Sequence, residues 1–351
     1  MDVPDLPAEG KPPHDCGPRR ILVTGGAGFI GSHVVARLML MGSQVRVLDN
    51  FSTGRTENLA EAALGGMPGF DIVAGDIRTP EGVEIIGHWK PDVVVHLAAQ
   101  AGAPEGDPAP LYDADLNVFG TVNVLDACVR NGVGLFVYAA SSAIFGDVPR
   151  TELPIAEGYG TAPTGPHGIS KAAAVRYVDW YGRHHGLAYT SMVFSNVYGP
   201  RQSGTDCGVV TLMADALLDG RPVTITDDGE QTRDFVYVGD VAEAVAVACH
   251  HEGVGMLHVS SGRQTTINEV YRAVREATGA TVSPHYRPSP ELSGIRHMAL
   301  DNSRARAMLG WQPTVGLSEG VRMTVRDVRR RKAGRLVLPP PQAPARVLTD
   351  H

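Results

Sequence analysis

Along the first half of the chain, short runs of apolar, mostly β-branched residues alternate with longer stretches whose apolar positions recur every three or four residues. The runs RILVT (Arg20–Thr24), QVRVL (Gln44–Leu48), VVVHL (Val93–Leu97) and LFVYA (Leu135–Ala139) are nearly continuous, the pattern of strands covered on both faces in a parallel sheet. Ile30–Met41, Leu116–Asn131 and Gly168–His184 carry helical spacing between them. This βαβα succession predicts an α/β fold with a doubly wound parallel sheet. After about Val197 the pattern breaks into shorter mixed elements, which predicts a smaller, partly interleaved α/β lobe. The expected organisation is a first domain over 20–196, to which 234–262 return, and a second lobe from 197–233 and 263–328. No internal repeat is visible.

One turn in this pattern carries chemistry. Thr24-Gly25-Gly26-Ala27-Gly28-Phe29-Ile30-Gly31 follows the first strand directly and opens a helix. Glycines at Gly25, Gly28 and Gly31 let the backbone turn sharply and approach a pyrophosphate at the positive end of that helix. Asp49 ends the second strand some two dozen residues later. A carboxylate there accepts hydrogen bonds from an adenosine ribose and repels a 2′-phosphate. The pair predicts a Rossmann domain that binds NAD rather than NADP.

Composition changes this picture little. Of 351 residues, 43% are hydrophobic and 20% charged, and the net charge is −7, which argues against a broadly basic nucleic-acid binder. No stretch approaches the roughly 20 apolar residues of a membrane span. Residues 1–19 contain prolines and charges without an apolar run and read as a mobile leader, not a signal peptide. Residues 329–351, with a basic cluster and a Pro-Pro-Pro run, read as a tail outside the fold. The four cysteines lie far apart with no metal-ligand spacing, so a reduced, cytoplasmic setting is expected. His184-His185 and His250-His251 fall near helix ends and make no metal-binding pattern, so no metal is expected. The pair Trp180-Tyr181 is expected to pack a helix.

Several separate motifs carry a family resemblance from about Ile21 to Val325. They are LDNFSTGRTENL (Leu48–Leu59), GDI (Gly75–Ile77), HLAAQAG (His96–Gly102), NVFGTVNVLDAC (Asn117–Cys128), SSAIFG (Ser141–Gly146), NVYGPRQ (Asn196–Gln202), DDGEQTRDFVYVGDV (Asp227–Val241) and MLGWQP (Met308–Pro313). With them the chain resembles the extended short-chain dehydrogenase/reductases, and within these the nucleotide-sugar epimerases similar to UDP-glucose and UDP-glucuronate 4-epimerases. The resemblance implies that Asn50, Asp76 and Ile77 lie at the adenosine end of the cofactor and that the Ala98-Ala99 backbone passes its phosphates. It implies that Lys171 holds the nicotinamide ribose and lowers the pKa of a neighbouring acid/base. Ser141, followed by Ser142, matches the catalytic Ser/Thr, whose hydroxyl both donates to and accepts from the sugar oxygen. Asn196, Arg233 and Arg296 match positions that hold the sugar nucleotide, the arginines through its diphosphate. A homodimer through a four-helix contact of Leu116–Asn131 and Gly168–His184 is implied as well.

Four departures stand out. The family's catalytic tyrosine, four residues before its lysine, is replaced by His167. The i, i+4 spacing to Lys171 keeps both on one helix face, and an imidazole, with its ordinary pKa near ~6.5, is suited to proton transfer at neutral pH. On the sequence, His167 is the working base, a remnant in an enzyme using another base, or a sign of lost catalysis. Ser142 and Ala143 stand where dehydratases and decarboxylases of the family carry acids, which favours epimerisation. Ala103-Pro104-Glu105-Gly106 replaces the usual V-R-x-S segment, and the arginine expected near Val193 is missing. The expected activity is NAD-dependent C4 epimerisation of a UDP-hexose or UDP-hexuronate. The alternatives are a dehydratase or decarboxylase of the same family, or a catalytically impaired NAD-bound binding protein.

Overall fold

The apolar runs fold as strands β1 (Arg20–Thr24), β2 (Gln44–Asp49), β4 (Val93–His96) and β5 (Leu135–Ser141). With β3 (Phe70–Ala74), β6 (Ala188–Phe194) and β7 (Gly255–Val259) they build one sheet in the order β7-β6-β5-β4-β1-β2-β3. All neighbours are parallel. The computed structural model describes residues 19–60, 69–100, 109–203, 207–288 and 295–334. The chain winds outward from β1 to β3 and then returns to β4, so the strand order reverses between β1 and β4. A doubly wound sheet opens its ligand crevice at the carboxyl ends of such a pair.

Alternation along β1 sends side chains to two cores. Ile21 and Val23 pack with Val34, Val35 and Leu38 of α1 (Phe29–Leu40) and with Val241 and Val245 of α6 (Val238–Ala248). Leu22 packs on the other face with Ile86 of α2 (Pro80–Trp89), Leu125 of α3 (Gly120–Arg130) and Val178 of α4 (Pro166–His185). Each fully buried Val, Leu or Ile contributes about 1.5–3 kcal/mol, which explains why these strands are legible as unbroken apolar runs. Where the sequence predicts one helix from Leu116, the structure has Pro110–Asp113, a π-helical stretch Ala114–Phe119, and then α3.

The second lobe has a core of its own. Val210 and Met213 of α5 (Val209–Leu218), Val270 and Val274 of α7 (Ile267–Thr278), and Val321 and Val325 of α9 (Leu317–Lys332) meet there. A capping box between Thr266 and Glu269 starts α7, satisfying N–H groups that a helix leaves unpaired.

Three expectations change. Residues 298–311 do not join the second lobe: Met298 and Leu300 pack into the α2–α4 face, and Ala305 and Leu309 of α8 (Ser303–Leu309), with Trp311, into the α1–α6 face. The tail does not begin at Arg329, because α9 runs to Lys332, where Lys332 pairs with Asp215 and Asp219 and Arg331 with Asp327. Trp180 and Tyr181 part ways: Tyr181 is buried, while Trp180 lies on the surface and stacks on His184. Leader residues 1–18, the segment 103–106 and the tail from 335 lie outside the described residues. Among the described residues, no helix is long and apolar enough to cross a membrane.

Candidate active site

The turn from β1 into α1 forms one end of a cleft of about 490 Å³. Gly25 sits at φ +69°, and a Cβ there would stand 2.6 Å from the Ala98 nitrogen, so only glycine lets the two backbones touch. α1 starts after Gly28 with no side chain capping its first N–H groups and no acid in its first turn. Gly28, Phe29, Ile30 and Gly31 line the cleft, leaving the orphan donors of the helix end available to an anion.

Asp49, at the end of β2, lies on the same wall. Its carboxylate accepts from the Ala27 N–H at 2.9 Å and the Phe51 N–H at 2.8 Å, while burial pushes its pKa up. Asn50, Ile77, Ala98 and Ala99 line the cleft beside it. Asp76 does not. Its carboxylate faces Arg78 and receives Asn50 Nδ2, and the Arg78 side chain holds it well below the usual carboxylate range.

The opposite wall carries the reactive groups. Ser141 ends β5, and its Oγ accepts from the Ala143 N–H at 3.2 Å, capping the tight turn Ser142–Phe145. That turn buries Ser142 away from the cleft lining. α4 approaches the turn at Gly168, where an added Cβ would lie 2.5 Å from the Ala143 carbonyl. The close fit brings His167 and Lys171 into the same cleft as Ser141. Lys171 is buried and donates to the Ala139 carbonyl at 2.8 Å, with its ammonium 4.9 Å from the centre of the Tyr138 ring. Burial pushes its pKa down to about 7, against the charge of Asp113. His167 Nδ1 lies 2.9 Å from the Gln100 carbonyl oxygen. Burial, and then the charge of Lys171, bring its pKa down to about 4, the direction expected from sequence but further than a base titrating near neutrality.

The remaining candidates divide. Asn196 lines the cleft next to Ser195 and Val197. Arg233 and Arg296 are brought near one another, since the Thr232 N–H donates to the Arg296 carbonyl at 3.0 Å, yet neither lines the cleft. Arg233 donates to the Thr232 carbonyl, and Arg296 pairs with Asp228 at 3.6 Å. With Arg150 they set a positive field that acts on His297.

The model of the NAD dependent epimerase/dehydratase family matches residues 21–259. The chain belongs to that family. It is 38% identical over 315 residues, 89% of its length, to a UDP-glucose 4-epimerase of Mycolicibacterium smegmatis, covering 99% of that protein. Among solved structures, it is similar to the UDP-glucose 4-epimerase of Thermotoga maritima determined with UDP-glucose, at 37% identity and a TM-score of 0.83, over 89% of this chain and 99% of that one. The Thermus thermophilus UDP-glucose 4-epimerase, in complex with NAD, matches at 40% identity and a TM-score of 0.80, over 88% and 99%.

The family's dinucleotide fits what the cleft presents. Uncapped N–H groups at α1 suit its phosphates, Asp49 suits a ribose, and the bare Gly25–Ala98 contact leaves no side chain between them. Other members of the site escaped the sequence reading. Gln202, Cys207 and Gly208 also line the cleft. Asp234, fully buried, accepts from Ser195 Oγ, from Ser261 N–H and Oγ, and from the Gly262 and Leu300 N–H groups, tying the strand after Ser195 to the loop behind it. Asn117 and Asp113, one helical turn apart, lie behind His167. Their four-residue spacing is the only sequence signal, because what Asn117 holds is main chain: the Gln100 N–H donates to its Oδ1 at 2.8 Å.

Proposed function

We propose that this protein is a NAD-dependent C4 epimerase of a UDP-hexose or UDP-hexuronate, acting through a 4-keto sugar. The observation that carries the reading is the placement of Ser141, His167 and Lys171 in one cleft with an anion-ready helix end and Asp49. The chemistry NAD supplies when bound is reversible acceptance of a hydride. The protein's own groups do the rest. His167 takes the proton of the 4-hydroxyl and gives it back, and Ser141 Oγ bonds to the same oxygen throughout. Burial, and then the charge of Lys171, keep the imidazole in its basic form. Arg233 and Arg296 hold the diphosphate from the outer end of the site.

Epimerisation is favoured over loss of water because Asp49, at the adenosine end, is the one carboxylate lining the cleft among the described residues. No second carboxylate in that lining stands ready to take a C5 proton, the step that loss of water needs. Incubation with UDP-, dTDP- and GDP-sugars, followed by NMR of the products, tests the reading. The expected product is the axial/equatorial C4 isomer of a UDP-sugar. A 4-keto-6-deoxy sugar or a pentose would replace it with the dehydratase or decarboxylase reading, and no turnover of any sugar with the binding-protein reading. His167→Ala is expected to slow epimerisation about 10²–10⁴-fold, the usual worth of general acid–base catalysis, with NAD binding intact.

The same reading extends to assembly as a homodimer through the faces of the Leu116–Asn131 stretch and α4. Phe119, Tyr177 and Trp180 keep 52%, 44% and 45% of their surface exposed there. Large apolar residues left open on neighbouring helices mark a surface that a second copy covers.

A further inference from the structure

A tyrosine base has one polar atom, whereas an imidazole has two, and the second needs a partner that leaves the first free. Here the second is Nδ1, 2.9 Å from the Gln100 carbonyl oxygen. A carbonyl only accepts, so Nδ1 carries the hydrogen, and neutral His167 is left with a bare lone pair on Nε2. The carbonyl is itself held. The Gln100 N–H donates to Asn117 Oδ1 at 2.8 Å, and Asn117 Nδ2 comes within 3.3 Å of the Gln100 oxygen. Nδ2 has two hydrogens, and its two shorter bonds run to Asp113 Oδ1 at 2.7 Å and Ser170 Oγ at 2.9 Å. Ser170 Oγ in turn donates to the His167 carbonyl at 3.1 Å. Asn117, Asp113 and Ser170 are all buried.

We infer that Asn117, seated by Asp113 and Ser170, is a positioning residue that fixes His167 as its Nδ1–H tautomer through the Gln100 carbonyl, making Nε2 the atom that exchanges the substrate's proton. The inference rests on the reading of His167 as the base. Its physical content is orientation. With Nδ1 unheld, the imidazole divides between tautomers and ring flips, and only one of these presents a lone pair to a hydroxyl. A phenol at position 167 has no second heteroatom to offer this carbonyl, so the Asn117 grip acquires a tautomer-setting role only with histidine there.

Long-range ¹H–¹⁵N correlation on the full-length protein with ¹⁵N-labelled histidine reads the tautomer directly, the His167 signals being assigned by their loss in His167→Asn. At pH 7 the expected pattern is protonated Nδ1 and bare Nε2. A His167 protonated at Nε2 overturns the inference, whatever the enzyme's activity. Asn117→Ser is expected to convert the pattern to a mixture. It should also lower kcat roughly 10–100-fold, the range seen when groups that orient a metal-bound imidazole from behind are removed, with KM for the sugar nucleotide nearly unchanged. Asp113→Asn, which keeps size and shape, is the second variant should Asn117→Ser fail to fold. A purely structural role predicts the native tautomer in whichever variant folds, and that result also overturns the inference. If His167→Ala keeps full activity, the base reading fails while the tautomer measurement still stands, so the two failures are told apart.

Discussion

An imidazole in place of a phenol alters the proton balance around Lys171. Lys171 is buried and His167 half-buried, both line the cleft, and desolvation pushes each toward its neutral form, His167 to about 4, helped by the charge of Lys171, and Lys171 to about 7. Asp113, behind them, opposes the shift on Lys171. The base is therefore ready above about pH 4, and the cation beside it fades as pH rises through about 7. The expected kcat/KM profile is a bell with flanks near those values. Lys171→Arg, whose guanidinium stays charged, should remove the alkaline flank. An acid flank at the ordinary imidazole value of ~6.5 would contradict the assignment. Linkage has the matching sign: between about 4 and 6.5 the unfolded chain binds more protons at His167 than the native one, so this group's contribution to stability rises with pH across that window. At the other end of the cleft, the buried Asp49 carboxylate leaves no room for a second negative charge. NAD should bind far better than NADP, and Asp49→Ala should narrow the gap. Calorimetry finding equal affinities in the unmutated protein would refute this.

Between α4 and the turn after β5, the seam at Gly168 decides how near His167 comes to Ser141. A methyl group there meets a carbonyl of the backbone, which has little freedom to move away. Gly168→Ala is expected to cost about 1–3 kcal/mol, as overpacking does, and to lower kcat more than it raises KM, since the base and the hydroxyl are drawn apart. Urea melts and steady-state kinetics measure both, and an unchanged midpoint with unchanged kcat would show the seam to be loose. Elements of this kind were only half legible in the chain. Four of the five inner strands, β1, β2, β4 and β5, could be read because burial on both faces demands unbroken apolar runs, whereas Thr190 and Ser191 interrupt the run in β6. The π-helical stretch Ala114–Phe119 could not, because its apolar spacing matches an α-helix closely. The pair Asp113 and Asn117 stayed hidden because its partner, the Gln100 peptide, has no side-chain signature, and the depth that shifts His167 and Lys171 is a property of packing alone.

The two lobes meet through segments that sequence order would separate. Residues 298–311 follow the second lobe along the chain yet pack on both faces of the large sheet, because Met298, Leu300 and Trp311 find there the apolar surroundings that local sequence does not announce. The glycine turn and Asp49 were legible because their spacing is itself the chemistry. Arg233 and Arg296 were legible as a pair, but their distance from the cleft lining was not. On the outer face, the exposed ring of Trp180 is the handle for testing assembly. Sedimentation of the unmutated protein at micromolar concentration is expected to give a dimer, and Trp180→Glu should shift it toward monomer with NAD binding retained. A monomer in both would count against the four-helix contact.

The outermost strand has a consequence for how the protein is made. β7 comes from Gly255–Val259 but pairs with β6, whose last residue is Phe194. Until the ribosome has delivered the chain past Val259, the hydrogen-bonding edge of β6 stays open, a template for pairing with other nascent chains. α5, the second-lobe helix that precedes β7, packs in the other core and does not close it. Translation stalled between these two strands should yield products that aggregate, whereas release after Val259 gives the sheet its last edge.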